Sequence, residues 1–191
     1  MRSLVILGLV AGLAACGSKP ADNAPAQGTR YGLGTPASDS LIRAMDIDIG
    51  PDGAGLPVGQ GTVADGGTLY QAQCAMCHGA KGEGMEPAFP RLLGRVPAAE
   101  DFTFSSDPKL PHTIGNYWSH ATTLFDYIRR AMPHTKPGSL SDDQVYALTA
   151  YLLAMDDVIA DDATLDAAAL RAVKMPYADR FVADDRAPGK P

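Results

Sequence analysis

Cysteine and histidine are scarce in this chain, which has three cysteines and four histidines among 191 residues. Three cysteines cannot build a disulfide framework. Apart from Cys74 and Cys77 the sequence has no Cys-x-x-Cys pair, and it has no His-x-x-x-His pair, so the second ligand pair of a structural zinc site is missing. Any metal or redox chemistry must therefore centre on one short segment.

Long hydrophobic runs and excess basic charge are also missing. The apolar run 4–13 is too short to span a bilayer. The chain carries 16 Lys and Arg against 22 Asp and Glu, which argues against nucleic acid and favours a protein partner with a basic patch. With 191 residues, 46% of them hydrophobic, the chain suffices for one compact domain with extensions but not for two sizeable cores.

The segment Cys74-Ala75-Met76-Cys77-His78 has the Cys-x-x-Cys-His spacing that attaches a c-type haem. Two cysteines three apart lie on one face of a helical turn, so both thiols can form thioethers along one porphyrin edge, and His78 can ligate the iron. Incidental thiols, half a zinc site or a thioredoxin-like pair are the alternatives, and the last needs a βαβ unit that the sequence does not indicate. We therefore predict one covalent haem c.

The N-terminus reads as an export signal. A basic start, 1–3, precedes the apolar run 4–13, and Leu13-Ala14-Ala15-Cys16 ends the pattern. The last four residues resemble the bacterial lipobox, which implies that 1–15 is a lipoprotein signal peptide and that Cys16 is lipidated. A simple cleaved signal is the alternative, and it would leave Cys16 as a free thiol in an oxidising compartment. We predict a lipid-anchored protein on the periplasmic side of a bacterial membrane.

Composition divides the rest of the chain into three parts. We predict that residues 16–62 are a lipid-anchored tether and N-terminal extension. The tether is indicated by 17–38, which are rich in Ala, Pro, Gly and Asn. We place the haem domain at 63–157 and a C-terminal extension at 158–191. The sequence leaves open whether that extension wraps the domain or clasps a partner.

Helical patterns fill the predicted haem domain. Asp65 is placed as the cap of a helix that runs into Cys74, and 122–131 show apolar residues at helical spacing. Ser141 and Gln144 form a capping box for a closing helix. Its predicted apolar face is Val145, Leu148, Leu152 and Met155. No alternating strand pattern competes, so the predicted fold class is all-α.

Several segments resemble a class I cytochrome c. They are Gly66-x-x-Leu69-Tyr70, Phe89-Pro90-Arg91-Leu92-Leu93-Gly94, a Met-Pro pair and Leu148-Thr149-Ala150-Tyr151-Leu152. The resemblance implies that the first and last helices cross closely, with Gly66 facing Tyr151 and Tyr70 alongside. It also implies that the Pro90 carbonyl accepts a hydrogen bond from Nδ1 of His78, which fixes the imidazole tautomer.

The sixth iron ligand has several candidates. Met132, followed by Pro133, sits where the class I pattern places a methionine thioether, whereas Met175 has the same form beyond the closing helix. The remaining candidates are Met85, Met155, His112, His120 and His134. The histidines would give a bis-histidine haem of lower potential. Trp118 and Arg129 flank the Met132 region, and we predict that they contact the haem propionates.

A narrower resemblance covers two longer segments. Residues 45–57 and 115–133 resemble the cytochrome subunit of the Sox-type sulfite or sulfane dehydrogenase, a SoxD-like protein. The resemblance implies a protein that takes single electrons from a molybdenum-cofactor dehydrogenase subunit and passes them to an acceptor cytochrome, without being an enzyme itself. A general membrane-tethered shuttle for an oxidase or another dehydrogenase is the runner-up. A ligand-binding haem protein is a third hypothesis, which carbon monoxide binding to the reduced protein would reveal.

Overall fold

The computed structural model describes residues 33–94 and 109–182. The predicted signal peptide, the lipidation site Cys16, most of the tether and the last nine residues lie outside the described residues. Within the described ranges, no helix combines the length and the apolar character needed to cross a membrane.

The described residues form seven α-helices, two short strands and one 3-10 turn. The helices are α1 (Asp39–Met45), α2 (Val63–Gln73), α3 (Ala75–His78), α4 (Ile114–Tyr117), α5 (Ala121–Ala131), α6 (Asp142–Met155) and α7 (Ala167–Ala172). The strands are β1 (Gln60–Thr62) and β2 (Thr164–Asp166), and the 3-10 turn is Ala178–Arg180.

The start of α2 differs from the prediction. Thr62, not Asp65, is the N-cap, because its hydroxyl accepts a hydrogen bond from the Asp65 backbone N–H at 3.1 Å. Asp65 lies in the first turn, where its carboxylate accepts a hydrogen bond from the Thr62 hydroxyl at 2.6 Å. Both residue types favour the cap position, so the sequence pattern alone placed the helix start three residues late.

The two longest predicted helical patterns are confirmed. Helix α5 buries the three apolar residues of its pattern, Leu124, Phe125 and Ile128. Helix α6 begins with the predicted capping box, in which Ser141 accepts a hydrogen bond from the Gln144 N–H and donates its own N–H to the Gln144 side chain. Of its predicted apolar face, Val145, Leu148 and Leu152 are buried, and Met155 is half-buried.

Helices α2 and α6 cross at a point where a side chain would not fit. A Cβ on Gly66 would overlap the Ala147 carbonyl and lie 2.7 Å from the Cβ of Tyr151. The rings of Tyr70 and Tyr151 pack beside this point, with centroids 5.3 Å apart. The predicted crossing at Gly66 is thus confirmed, and it fixes α2, which leads directly into the Cys-x-x-Cys-His segment.

A small sheet joins the start of α2 to the C-terminal extension. Strands β1 and β2 pair antiparallel, with Gly61 opposite Leu165. Leu165 of β2, together with Leu170 and Met175 beyond the sheet, is buried in the same core as α5 and α6. The protein is predominantly helical as predicted, but the all-α prediction missed this sheet, because three-residue strands are too short to show alternation.

The segment 46–60, hereafter the strap, lies across the helices α5, α6 and α7. Six side chains from these helices bond to its backbone: Thr122, Asp126, Arg129, Asp143, Tyr146 and Arg171. Helix α1, which precedes the strap, buries none of its residues. Parts of both predicted extensions therefore pack on the helices, while the domain boundaries at 62/63 and 157/158 stay predictions.

The tight crossing predicts different effects for two adjacent glycine substitutions. Gly66→Ala should lower the free energy of unfolding by about 3 kcal/mol, the upper end for overpacking, because the added methyl meets backbone atoms. Gly67→Ala is the matched control, since its Cβ would meet only the Tyr151 ring edge at 3.0 Å and alanine favours helix. Urea unfolding of both variants tests the difference, and equal stabilities would contradict it.

Candidate functional site

Cys74, Cys77 and His78 lie within one tight helical turn. Cys74 ends α2 and begins α3, and its carbonyl accepts hydrogen bonds from the N–H groups of Cys77 at 3.1 Å and His78 at 2.9 Å. Gly79 ends the turn with a φ of 77°, a conformation that suits glycine. The structure thus brings the two predicted thiols and the predicted proximal imidazole together on the short helix α3 and its N-cap residue Cys74.

The surroundings of this turn disfavour charge. Burial, with a smaller contribution from Cys77, raises the pKa of the Cys74 thiol to about 11. Burial lowers the pKa of His78, which extends the pH range in which the imidazole is neutral and can ligate a metal. Partial burial of Cys74 and His78 disfavours an isolated charge beside them. It is compatible with contact to the apolar face of a porphyrin.

Tyr70 holds the backbone that follows His78. Its hydroxyl donates a hydrogen bond to the Gly79 carbonyl at 2.8 Å. Burial first, then the neighbouring Cys74 and Tyr151, raise the pKa of Tyr70 to about 12, so the hydroxyl remains a donor at neutral pH. The sequence placed Tyr70 at the helix crossing only, and nothing in the pattern indicated this second role.

The loop after α3 folds back on itself. The N–H of Gly84 donates to the His78 carbonyl at 2.9 Å, and the N–H of Leu92 donates to the Gly82 carbonyl at 2.9 Å. Gly82 packs directly against the Leu93 side chain. This loop encloses one side of His78, whose ring also meets the edge of Phe89 at a centroid distance of 6.3 Å.

The predicted hydrogen bond between Pro90 and His78 is not formed in this structure. His78 Nδ1 is buried and has no hydrogen-bond partner. Pro90 is exposed, and its backbone packs closely against Gly84 in the same loop. A buried, unpaired imidazole nitrogen is costly, and a metal-bound histidine normally donates its second N–H, so the Pro90 contact stays a prediction.

Met132 lies at the C-terminal end of α5. Its N–H donates to the Ile128 carbonyl at 3.1 Å, which closes the last helical turn, and its half-buried side chain packs against the core that also contacts Cys74. A thioether in this position fits the soft, neutral sixth ligand of a haem iron. The structure leaves Met132 as the sixth-ligand prediction.

The other candidate ligands have different surroundings. Met175 is buried in the core beyond β2, Met155 is half-buried on α6, and Met85 is 46% exposed. The three candidate histidines, His112, His120 and His134, are all exposed. Among the described residues, no group of three or more His, Cys, Asp or Glu side chains could hold a metal ion, so the zinc alternative lacks its further ligands there.

Trp118 and Arg129 use polar groups in contacts within the protein. The Trp118 indole N–H donates to the Thr123 hydroxyl at 3.0 Å. The Arg129 guanidinium donates to Asp142 at 3.0 Å and to the Ile47 carbonyl at 3.2 Å. Their assignment as haem propionate contacts stays a prediction, and these contacts do not support it.

Sequence reasoning missed one buried charge on α5, the helix that precedes Met132. Asp126, on α5, is 8% exposed and pairs with Arg130 four residues later. The spacing of an acidic and a basic residue at i and i+4 was a readable signal for this ion pair. The sequence could not indicate that this carboxylate is buried, because the strap residue that bonds to it, Ile49, lies 77 residues away in the chain.

Comparisons with known proteins agree on the class. The family model described as cytochrome C oxidase, cbb3-type, subunit III matches residues 61–152, from within β1 into α6. The thiosulfate dehydrogenase of Stutzerimonas stutzeri (strain A1501) is 32% identical over 100 residues, which cover 50% of this chain. The chain spans only 28% of the length of that dehydrogenase.

A solved structure extends the similarity well beyond the haem region. It is the crystal structure of the sulfane dehydrogenase SoxCD from Paracoccus pantotrophus, one chain of which is 38% identical to this one, with a TM-score of 0.69. The match covers 82% of this chain and 74% of that chain. Together with the helical turn that carries Cys74, Cys77 and His78, this similarity shows that the chain belongs to the SoxD-like class I c-type cytochromes.

Proposed function

We propose that this protein is a monohaem c-type cytochrome that accepts single electrons from a molybdenum-containing sulfite or sulfane dehydrogenase subunit and passes them to a downstream cytochrome. The observation that carries the proposal is the similarity to SoxCD over 82% of the chain. A haem domain alone would account for the match at 61–152 but not for a match of this length. The protein has no substrate chemistry of its own in this proposal.

Four residues hold the cofactor in this proposal. Cys74 and Cys77 provide the two thioether links, His78 is the proximal iron ligand, and Met132 is the sixth ligand. Haem c, when bound, supplies a one-electron iron couple. The placement of Cys74, Cys77 and His78 on one helical turn, the burial around Cys74 and the half-buried Met132 side chain are the observations that fit a haem.

The protein contributes rigidity and an apolar setting. Gly66 locks α2 against α6, and the Tyr70 hydroxyl holds Gly79, so the turn that carries His78 is fixed at both ends. Soft thioether ligation favours the reduced state and raises the potential. In this proposal His78 and Met132 would both bind the iron and leave no free coordination position. We therefore favour electron transfer over the binding of a small ligand.

The proposed location and partners rest on charge and on the N-terminal pattern. Loss of 1–15 removes one basic residue, which leaves 15 Lys and Arg against 22 Asp and Glu. Such a surface favours partners with basic patches. A lipid anchor at Cys16 would keep the domain at the periplasmic face of a membrane and raise its effective concentration near membrane partners.

The runner-up function is a general membrane-tethered shuttle. It is favoured by one observation, namely that the family model matching 61–152 describes an oxidase subunit. This shuttle would use the same haem ligands but would deliver electrons to an oxidase or accept them from another dehydrogenase.

The partner is tested by purifying a tagged form of the chain from its native membranes. We expect a molybdenum-containing protein to copurify, and we expect a sulfite or sulfane substrate to reduce the haem only in that preparation. The tagged chain expressed alone with the cytochrome maturation system is the control. Copurification of an oxidase without molybdenum would support the shuttle instead.

The ligand assignment is tested by Met132→His. We expect covalent haem to be retained, and the midpoint potential to fall by a substantial fraction of the about 0.8 V range that axial ligands cover, because imidazole replaces a thioether. Met85→His is the control, since Met85 lies half-exposed in the loop after α3. An unchanged potential in Met132→His would reject Met132 as the ligand.

The anchor is tested by mass spectrometry of the mature N-terminus. We expect Cys16 to carry a diacylglycerol, with or without a third acyl chain, and the protein to sediment with membranes. Cys16→Ser should lack these acyl chains. An unmodified Cys16 at the mature N-terminus would contradict lipidation.

A further inference from the structure

Helix α5 presents a polar row to the strap along three successive turns. The Thr122 hydroxyl donates to the Pro51 carbonyl at 3.0 Å. The Asp126 carboxylate accepts the Ile49 N–H at 2.9 Å. One turn further on, the Arg129 guanidinium reaches the Ile47 carbonyl at 3.2 Å, so the strap runs antiparallel to the helix.

The spacings along the two elements are similar. Two residues of extended chain advance by about 6.6 Å, and one turn of α-helix advances by about 5.4 Å. Side chains of different length at helix positions 122, 126 and 129 can therefore reach strap positions 51, 49 and 47 in turn. The three hydrogen bonds lie on one face of α5 at successive turns, so together they oppose both rotation and axial displacement of the helix against the strap.

Asp126 is the centre of this contact. Its Oδ1 atom accepts the Ile49 N–H and also the Nε–H of Arg130 at 2.8 Å. Burial raises its pKa, but the hydrogen bonds from Arg130 and Ile49 and the charges of Arg130 and Arg129 outweigh burial, and the net pKa is lowered. Ile49 itself is buried in the core. A charged, buried anchor thus joins the strap to the middle of α5.

Met132 moves with α5. Its N–H donates to the Ile128 carbonyl, so it belongs to the last turn of the helix. A rotation of α5 by about 10° would shift a side-chain tip at the outer radius of about 5–6 Å by about 1 Å. Metal–ligand distances tolerate about 0.2 Å. A small loss of helix position is therefore large for a bond to iron.

We propose that Thr122 and Asp126 are positioning residues for the sixth ligand, because they lock α5 to the strap and thereby hold the Met132 thioether at the haem iron. This inference rests on the proposed function, in which Met132 is that ligand. It assigns the N-terminal extension a role in the haem site, although none of its residues belongs to the haem-binding motif.

The test uses near-isosteric variants of the haem-loaded protein. Thr122→Val removes the hydroxyl that donates to the Pro51 carbonyl. Asp126→Asn removes the charge and places an amide where Arg130 now donates. Tyr146→Phe is the matched control, because it removes the hydroxyl that donates to the Pro57 carbonyl of the same strap at 2.8 Å, but from α6.

The readout is competition for the iron. Imidazole should displace Met132 from the ferric protein. Its apparent affinity should be higher by about tenfold or more in Thr122→Val and Asp126→Asn than in the unmodified protein, because a supporting contact of a metal ligand is lost. The sulfur-to-iron charge-transfer band of the ferric protein should weaken in the same variants. Tyr146→Phe should match the unmodified protein in both measurements. If Asp126→Asn does not retain haem, the comparison of Thr122→Val with Tyr146→Phe tests the proposal by itself.

Two different results would overturn the proposal. Unchanged imidazole affinity in both α5 variants, or an equal gain in Tyr146→Phe, would reject positioning by the α5 row while leaving Met132 as the ligand. Met132→Ala separates this case from a failure of the proposed function. If Met132→Ala left the charge-transfer band and the imidazole affinity unchanged, the sixth-ligand assignment itself would fall, and the positioning role with it.

Discussion

The close approach of α2 and α6 is the contact on which the site depends. Gly66 allows the Ala147 carbonyl of α6 to lie where a side chain would stand on α2. Because α2 continues without a loop into the turn of Cys74 and His78, its position against α6 decides where both the thiols and the imidazole lie. Tyr70 extends this control by one step, since it packs on Tyr151 and also holds Gly79.

The segments outside the haem-binding motif complete the structure from two sides. The strap is joined to α5, the helix that Met132 follows directly, through three hydrogen bonds from one helix face. Strand β2 pairs with β1 directly before α2, and α7 follows it into the core with Leu170 buried. The turn that carries Cys74, Cys77 and His78 and the helix that precedes the proposed ligand Met132 are thus both supported by residues from the predicted extensions.

Sequence patterns predicted the long helices well and the short elements poorly. The capping box of Ser141 and Gln144 and the apolar spacing in α5 are local signals, and each predicted its helix. The choice between Thr62 and Asp65 as the cap of α2 depended on where the chain enters from β1. The pairing of Gly61 with Leu165 joins residues about a hundred positions apart, and no local pattern can indicate such a pairing.

The sequence by itself determined the cofactor class, since the order Cys74, Cys77, His78 on one helical turn is dictated by covalent chemistry. The crossing at Gly66 was implied by the resemblance to class I cytochromes c, and the structure shows the close approach that requires glycine there. The tertiary structure alone decided what surrounds these residues. Asp126 is buried under the strap, and Trp118 and Arg129 form hydrogen bonds with other side chains of the same chain. Residues of the C-terminal extension are buried in the core. These outcomes depend on which distant segments share the same buried surface, and a property of that kind exists only once the chain has folded.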